Sequence, residues 1–340
     1  MQHRSFFTLF PVLVCLAVLQ ACAGQQTPPQ ASYDHWQWHQ SPMKGALPTA
    51  RHEGGLAVVG NQLYLLGGRG QRPLDILDMS SGQWRTGAAL PEELNHFQAV
   101  TVGKDICIVG AMQGRFPKED IVPHIWIYST ESDNWAAGPE LPKDRLRGGG
   151  GVVLHQGSIY FVGGNRFGHS SGYVPWLDRL DLATGQWQRL ADAPQARDHF
   201  HAAIINGKLY AAGGRLSASD TGDHLSRTVA QMDVYDITTD TWQTVQSPLP
   251  TPRAGVAVVA MGDLLVVMGG ESGTQEAAHS EAESFDTKTQ SWLSLPLMPQ
   301  GRHGTQAVVI DGAIHILAGS GNRGGGPELN DHLIFKQQTD

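Results

Sequence analysis

The 340-residue sequence lacks the features that mark several common protein classes. It has three cysteines, and two of them, Cys15 and Cys22, lie in the first segment, which excludes a disulfide framework. Charged residues make up 16% of the chain and the net charge is −8, which argues against nucleic acid as a partner because such binding needs a concentrated basic surface. The glycine-rich phosphate loop, the nucleophile elbow and the HExxH zinc motif are absent, so no cofactor is expected.

The first segment has the pattern of an export signal. His3 and Arg4 precede an apolar run that ends at Leu19, and this run is shorter than the ~20 apolar residues of a membrane-spanning helix. Residues 19–22 resemble the lipobox of bacterial lipoproteins, which implies that Cys22 is lipidated, and Ala23 after it implies the outer membrane. The alternative is cleavage after an Ala-x-Ala-like site, which would release a soluble periplasmic protein. Whether an anchored protein faces the periplasm or the cell surface is left open.

Pairs of small residues recur along the rest of the chain. The six pairs are Gly67-Gly68, Gly110-Ala111, Gly163-Gly164, Gly213-Gly214, Gly269-Gly270 and Ala318-Gly319. Successive pairs are 43, 53, 50, 56 and 49 residues apart, and a period of about 50 residues indicates a repeat architecture. Tryptophan recurs in step with the pairs, at Trp84, Trp135, Trp187, Trp242 and Trp292.

This pattern resembles the kelch repeat and covers the chain from Trp36 to Phe335. The resemblance implies an all-β fold, a six-bladed β-propeller with one four-stranded blade per repeat. The sixth copy ends after its third strand, so the N-terminal strand that begins at Trp36 is expected to close the last blade. The predicted organisation is a lipoprotein signal peptide at 1–21, the lipidated cysteine and a flexible tether at 22–35, and a propeller at 36–340. A monomer is expected.

The loops between second and third strands are long and irregular, and they share one end of the propeller with the connections between blades. This end is the predicted binding face. Five of the six copies carry an arginine 16 residues before the small-residue pair, and these are Arg51, Arg147, Arg197, Arg253 and Arg302. Two interpretations remain open: a basic channel mouth that attracts anions, or arginines that hydrogen-bond carbonyls of the neighbouring blade. The loops add four ligand-binding candidates, namely Arg166, Tyr173, Trp176 and Arg215.

Histidines provide weak candidates for a metal site. His199 and His201 are two residues apart and so share one side of a strand, and His96 and Glu53 occupy the register of His199 in other copies. A hydrogen-bonded polar group at the channel mouth is the preferred interpretation, so no metal is expected. Copper-radical chemistry of the galactose oxidase type is excluded, because the single candidate, Cys107, occupies a core register of the repeat.

The preferred functional hypothesis is an envelope-tethered binding module that takes a carbohydrate, a sugar acid or a protein partner on its long-loop face. The alternative is a periplasmic sugar-acid epimerase or mutarotase, because the chain resembles the six-bladed kelch enzymes that equilibrate sialic acid anomers. Such an isomerase needs an acid and a base, and the candidates are Glu271, Glu276, His224 and His279. A purely architectural role in an envelope complex is a third hypothesis. Whether the protein is an enzyme stays open at this point.

Overall fold

The computed structural model describes residue 1 and residues 35–338. The predicted signal peptide, the lipidated Cys22 and the tether up to residue 34 lie outside the described residues. Among the residues that are described, no helix is long and apolar enough to cross a membrane.

Twenty-six strands and two single-turn 3-10 helices make up the described chain. The strands in chain order are β1 (Trp36–Gln40), β2 (Gly54–Val59), β3 (Gln62–Gly67), β4 (Asp75–Asp78), β5 (Gln83–Thr86), β6 (Gln98–Val102), β7 (Asp105–Val109), β8 (Met112–Gln113), β9 (Asp120–Ile121), β10 (His124–Ser129), β11 (Asn134–Glu140), β12 (Gly151–His155), β13 (Ser158–Val162), β14 (Leu177–Asp181), β15 (Gln186–Arg189), β16 (Ala202–Ile205), β17 (Lys208–Ala211), β18 (Asp233–Asp236), β19 (Thr241–Thr244), β20 (Ala257–Met261), β21 (Leu264–Met268), β22 (Ala282–Asp286), β23 (Ser291–Ser294), β24 (Ala307–Ile310), β25 (Ala313–Leu317) and β26 (His332–Gln337). The 3-10 helices span Lys143–Arg145 and Ser219–Thr221.

These strands form six four-stranded antiparallel sheets and one small hairpin of β8 and β9. Five sheets follow the chain, in the strand orders β2-β3-β4-β5, β6-β7-β10-β11, β12-β13-β14-β15, β16-β17-β18-β19 and β20-β21-β22-β23. The sixth has the order β1-β26-β25-β24, with Trp38 opposite Phe335. The prediction of a six-bladed propeller whose last blade is closed by the N-terminal strand is therefore confirmed.

The recurring residues of the sequence account for the hairpins of each blade. In the fourth blade, Asn206 and Gly207 both have positive φ and form the two-residue turn between β16 and β17. The Oδ1 atom of Asp236 accepts hydrogen bonds from backbone N–H groups of the turn that follows β18. Trp242 stands opposite Tyr235 at a ring-centroid distance of 5.1 Å, and its Nε1–H donates to the carbonyl of Ala191 in the preceding connection. Each blade is thus closed by its own turns and fixed to its neighbour.

Six residues at the entries to the innermost strands form a closed ring of backbone hydrogen bonds around the axis. Each backbone N–H donates to the carbonyl of the ring member in the preceding blade, at N···O distances of 2.5–3.0 Å. All six have left-handed backbones with φ between 53° and 67°. The members of this axial ring are Glu53, His96, Gly149, His199, Gly255 and Gly304. Only glycine adopts this conformation without a penalty, so the three ring members with side chains are strained positions.

Two glutamines bridge the innermost strands just beyond the ring. The Oε1 atom of Gln98 accepts hydrogen bonds from the N–H groups of Val152 and Ala202. These two residues lie in β12 and β16, which belong to different blades. The Oε1 atom of Gln306 accepts a hydrogen bond from the Ala99 N–H group, and its Nε2 group donates to the Ala99 carbonyl. The two amides therefore fasten the inner strands of several blades to one another.

The five arginines of the repeat register are buried, with at most 1% of their surface exposed. Each one donates to the carbonyl of the first residue of its own small-residue pair, as Arg197 does to Gly213 at 3.0 Å. Each also pairs with an acid on or next to the third strand, as Arg197 does with Asp233 at 2.6 Å. The acids paired with Arg51, Arg147, Arg197, Arg253 and Arg302 are, in that order, Asp75, Asp178, Asp233, Glu283 and Asp331.

Of the two interpretations of the repeated arginines, this arrangement contradicts the basic channel mouth and supports the structural role. The five guanidinium groups lie inside the blades, and their carbonyl partners belong to their own blade rather than to the neighbouring one. Their charge is balanced by carboxylates that stand 24 to 36 residues later in the sequence. The spacing between arginine and acid varies with loop length, which is why the repeat register alone did not reveal the pairs.

Replacing Arg197 by alanine should leave the buried Asp233 carboxylate without its partner. Breaking a buried ion pair costs about 3–5 kcal/mol, and urea unfolding should show a loss of that order. The control is Arg166→Ala, because Arg166 is exposed and stacks over Phe167 at 5.2 Å; its loss should be about 0.5–1 kcal/mol. Equal losses of unfolding free energy in the two variants would contradict a structural role for the repeated arginines.

Candidate functional site

The long-loop end of the propeller holds a cavity of about 290 Å³. Its wall is mostly polar and charged, and the side chains that line it are His52, Glu53, Arg69, Phe116, His169, Arg215, His224, Leu225, Glu271 and His303. Glu53 also lines a much narrower space of about 20 Å³ around the axial ring. The cavity therefore lies at the axis, and the ring is its floor.

Three registers of the repeat supply most of this wall. The first is the axial ring, which contributes Glu53 to the wall, whereas His96 and His199 line the narrow space at the ring. The second is the residue before each ring member, and the third is the residue after each small-residue pair. The last two face each other as isolated bridges, as Asp198 does with Arg215 and His303 with Ser320. Because equal registers surround the axis, single residues far apart in sequence converge on one cavity.

The glycines of the axial ring make room for neighbouring side chains, among them the ring member Glu53. A Cβ atom at Gly304 would lie 2.7 Å from Oε1 of Glu53, and one at Gly149 would lie 3.2 Å from Met112. The ring thus combines small residues on some blades with Glu and His on others. This asymmetry is what a binding site requires and what a purely structural ring would not need.

Two arginines of the cavity are paired with buried carboxylates. Arg69 binds Glu119 at 2.7 Å, and Arg215 forms a short ion pair with Glu271. Burial by itself would raise the pKa of Glu119, but hydrogen bonds from His169 and Arg69 hold it well below its usual range. For Glu271 the charges of His303 and Arg215 likewise outweigh burial and lower the pKa. Both carboxylates are therefore ionised and fix the arginines in place.

The paired arginines keep hydrogen-bonding capacity. Among the described residues, Arg69 uses only Nη2 for side-chain contacts, and Arg215 uses Nε to Ser217 and Nη1 to Glu271. A guanidinium carries five N–H donors. Each arginine therefore retains donors on the wall of the cavity.

Glu53 and His303 form a different kind of pair. Oε1 of Glu53 lies 3.8 Å from Nδ1 of His303, and Oε2 lies 3.4 Å from Nε2 of His96. The Nε2–H group of His303 donates to the carbonyl of Asn322 at 2.9 Å, which leaves its buried Nδ1 without a hydrogen-bond partner among the described residues. Burial would raise the pKa of Glu53, but the charges of His303 and other histidines lower it. The pair consists of an ionised carboxylate and an imidazole whose Nδ1 is not engaged in a hydrogen bond with any described residue.

Three buried histidines meet at the floor of the cavity. One ring nitrogen each of His96, His169 and His199 lies within 4.8 Å of the others. His169 and His199 approach most closely, with 2.8 Å between their Nε2 atoms. Burial, followed by the charge of Arg69, keeps the pKa of His96 well below its usual value, and burial lowers that of His169 to about 4. Both are neutral imidazoles at neutral pH.

Among the predicted ligand-binding residues of the loops, only Arg215 lines the cavity. Arg166 is exposed and stacks over Phe167 and Trp176, and Trp176 also lies 4.5 Å from the guanidinium carbon of Arg145. Tyr173 accepts a hydrogen bond from Arg227 at 3.1 Å. These residues belong to the loop face but stand outside the cavity wall.

The predicted acid/base and metal-binding residues also divide into those that line the cavity and those that do not. Glu271 and His224 line the cavity, whereas Glu276 is exposed. His279 is buried between Ser272 and Glu281 and is not part of the wall. His201 lines the narrow space at the ring and does not join the cluster of His96 and His199. Cys107 is 3% exposed in β7, where burial raises the pKa of its thiol to about 12.

Sequence reasoning did not identify His169, Glu119 and His303 as site residues. His303 and His52 occupy the register just after the repeated arginine, so a comparison of that register across the six copies could have found them. His169 and Glu119 come from loops of unequal length that have no counterpart in the other blades. No repeat signal exists for such residues.

The six blades and the polar cavity at the axis define a β-propeller with a cavity on its long-loop face. The model of the KLHDC2/KLHL20/DRC7 Kelch-repeats domain matches residues 98–319. The chain therefore belongs to the kelch-repeat family, as its sequence pattern predicted.

Related proteins are similar to most of this chain but extend beyond it. The Kelch-like protein terF of Aspergillus terreus is 28% identical over 291 residues, which cover 79% of this chain and 61% of that protein. Kelch-like protein 38 of Rattus norvegicus is 26% identical over 76% of this chain and 42% of its own length. The solved structure titled "Structure of YjhT" has a TM-score of 0.71 at 15% identity and covers 86% of this chain and 99% of that one. This last likeness shows a shared fold.

The left-handed backbone of His199 leads to a prediction about the axial ring. The variants His199→Ala and His199→Gly remove the same side-chain contacts, but only glycine adopts φ near 53° without strain. The glycine variant should be more stable than the alanine variant by about 1 kcal/mol, measured by urea unfolding. The order should reverse at an extended strand position such as Ala203, where Ala203→Gly should destabilise. An alanine variant as stable as the glycine variant would show that the ring position is not strained.

Proposed function

We propose that the protein is a binding module that takes a small sugar acid into the cavity at the axis of its long-loop face. The observation that carries this proposal is the cavity of about 290 Å³, whose wall presents Arg69 and Arg215 beside the ring of Phe116. Ligand pockets generally have volumes of about 300 Å³ or more. A monosaccharide acid is of the appropriate size.

Arginine is the side chain best suited to a carboxylate. Its guanidinium group can bind a carboxylate through two parallel N–H donors, and both cavity arginines retain free donors. The remaining polar groups of the wall, such as His52 and Glu53, offer partners for hydroxyl groups. A ligand with one carboxylate and several hydroxyls matches this set.

The aromatic group of the cavity supports the same ligand class. Phe116 is 49% exposed, and its ring lies 5.0 Å from that of His169 and 5.4 Å from that of His224. An exposed ring on a cavity wall provides an apolar face for the C–H side of a sugar. A protein partner would instead need a wide surface, of about 800 Å² per partner. The cavity therefore favours a small ligand.

The proposal includes a location in the bacterial envelope, which the export pattern of the sequence supports. A lipid on Cys22 would hold the propeller at the outer membrane through the tether, and the propeller would act there as a monomer. Kelch domains generally mediate protein–protein interaction. A protein partner on the loop face is the alternative that remains if no small ligand binds.

A second candidate function is catalysis of anomer exchange on the same ligand. Opening a sugar ring at its anomeric carbon requires a base that removes the proton of the anomeric hydroxyl and an acid that protonates the ring oxygen. Glu53 and His303 are 3.8 Å apart on the cavity wall, and neither pairs with an arginine side chain among the described residues. No group other than protons is transferred, so no cofactor is needed. Glu53 and His303 suit these roles better than Glu271, which is held by Arg215.

Ligand binding can be tested with N-acetylneuraminic acid and its methyl ester. The acid should raise the unfolding temperature of the purified protein, because a ligand that binds only the native state stabilises it. The acid should bind about tenfold or more tightly than the ester, since charged hydrogen bonds contribute about 1.5–3 kcal/mol. Calorimetry gives both affinities.

A matched pair of variants locates the ligand. Phe116→Ala should weaken binding about 2- to 10-fold, in line with the energy of ring contacts. Phe167→Ala should leave binding unchanged, because Phe167 is 54% exposed on the same face but does not line the cavity. The proposal fails if none of the glucuronic, galacturonic and N-acetylneuraminic acids binds, or if both variants bind like the unmodified protein.

Catalysis has a separate test. If the protein accelerates exchange between the anomers of a bound sugar acid, measured by NMR, Glu53→Gln should lower the rate about 100-fold or more. The binding constant from calorimetry should change far less. Phe167→Ala is the control and should keep the full rate. An unchanged rate in Glu53→Gln would remove the acid/base role and leave a binding module.

A further inference from the structure

We infer that His96, His169 and His199 form a binding site for one divalent transition-metal ion of the Zn²⁺ type at the floor of the axial cavity. The inference goes beyond the proposed ligand, since it concerns a site that is complete without any sugar. It also differs from the sequence-based expectation that no metal is bound. His201, which the sequence pattern paired with His199, is replaced in this set by His169 from the long loop of the third blade.

The first argument is the direction of the nitrogen atoms. Nδ1 of His96 lies 2.6 Å from Oδ1 of Asn95, Nδ1 of His169 lies 2.9 Å from Oε2 of Glu119, and Nδ1 of His199 lies 2.5 Å from Oδ1 of Asp198. Amide and carboxylate oxygens accept hydrogen bonds, so each Nδ1 carries the proton. A ring protonated only at Nδ1 carries its lone pair on Nε2; that of His96 faces Nη2 of Arg69 at 3.4 Å, and those of His169 and His199 face each other. Three such lone pairs share one small volume.

The second argument is the pattern of partners behind the rings. Metal-bound histidines almost always donate their other ring N–H to a carboxylate, a carbonyl or a water, which fixes the tautomer and the ring orientation. All three rings of this cluster have such an oxygen partner. Two of the three partners are buried carboxylates, Glu119 and Asp198. Their negative charge would compensate a divalent cation.

The third argument is the distance between His169 and His199. Their Nε2 atoms are 2.8 Å apart, and two lone pairs at that distance repel each other unless a cation or a proton lies between them. Zn–N bonds of 2.0–2.1 Å in a tetrahedral site correspond to about 3.3 Å between ligand nitrogens. Small movements of these two rings would reach that spacing, and the ring nitrogen of His96, which lies within 4.8 Å of both, would complete the site by moving closer.

The fourth argument is the backbone strain at two of the three residues. His96 and His199 have φ values of 54° and 53° at ring positions where three other blades carry glycine. Strained non-glycine residues concentrate at functional sites. A histidine that served only to fill space would gain nothing from this conformation.

The donor set selects the class of ion. Neutral imidazoles suit Zn²⁺, Cu²⁺, Ni²⁺ and Fe²⁺, whereas Mg²⁺ and Ca²⁺ prefer oxygen ligands. Three histidines with an open fourth position are typical of catalytic rather than structural zinc sites. His169 lines the cavity, and Glu53 approaches His96 at 3.4 Å. The fourth position would therefore face the cavity beside the Glu53 carboxylate.

Metal binding can be measured without any sugar. Untagged protein is stripped with a chelator and titrated with Zn²⁺ alone, and the bound metal is counted by elemental analysis. We expect one Zn²⁺ per chain and a rise of the unfolding temperature with Zn²⁺ concentration. Co²⁺ in place of Zn²⁺ should give the visible absorption of a tetrahedral site, a readout that requires no variant. Failure to bind sugar acids would leave these results untouched, so the two proposals fail separately.

Variants test which residues hold the ion. His169→Ala and His199→Gly should each weaken Zn²⁺ binding more than about 100-fold, and Glu119→Gln about 10- to 100-fold as a partner of a ligand. His224→Ala is the matched control, because it removes an imidazole from the same cavity outside the cluster, and it should bind Zn²⁺ normally. Absence of stoichiometric Zn²⁺, or equal binding by His169→Ala and the unmodified protein, would overturn the site. The contact between His169 and His199 would then be a shared proton.

Discussion

The structure depends on a ring of six backbone hydrogen bonds around the axis. Each blade contributes one residue, and the ring closes only if all six innermost strands begin at the same height. The left-handed backbone at these positions favours glycine, yet three of the six are Glu53, His96 and His199. A non-glycine residue there costs about 1–2 kcal/mol. The same constraint that closes the propeller therefore marks the blades that carry the site.

Arginine serves two purposes in this molecule, and burial separates them. The five repeated arginines are enclosed in their blades, and each bridges the small-residue pair and an acid near the third strand. Arg69 and Arg215 follow the small-residue pair of two blades only, and they line the cavity. A repeated residue meets the same surroundings in every blade and so suits a structural role. A residue found in one or two blades creates the asymmetry of a site.

The cavity is a closely balanced electrostatic environment. Its two arginines are each fixed by a buried carboxylate, and burial lowers the pKa of His96 and His169 on its floor. Glu53 is the carboxylate without an arginine partner, and it lies between the histidine cluster and His303. The proposed ligand, proton-transfer and metal sites therefore share adjacent groups of one cavity.

The sequence by itself determined the fold, because each blade is built from local signals. Hairpin turns such as Asn206-Gly207, the aspartates after third strands and the tryptophans of fourth strands all act within one repeat. Their count and order also showed that the N-terminal strand closes the last blade, since the sixth copy lacks one strand. The sequence predicted the residues of the candidate site only in part. Arg215, Glu271, Glu53, His96 and His199 stand at repeat registers and were recognised as candidates.

Tertiary structure alone decided how these residues combine. The acids that pair with the repeated arginines stand at variable distances from them in sequence. Only the folded blade therefore shows that Arg197 forms an ion pair with Asp233. His169 and Glu119 reach the axis through loops of unequal length that follow no repeat. Their positions depend on long-range contacts between loops, such as the 50-residue separation between Arg69 and Glu119. Local patterns specify a blade, but a site at the axis is the product of all six.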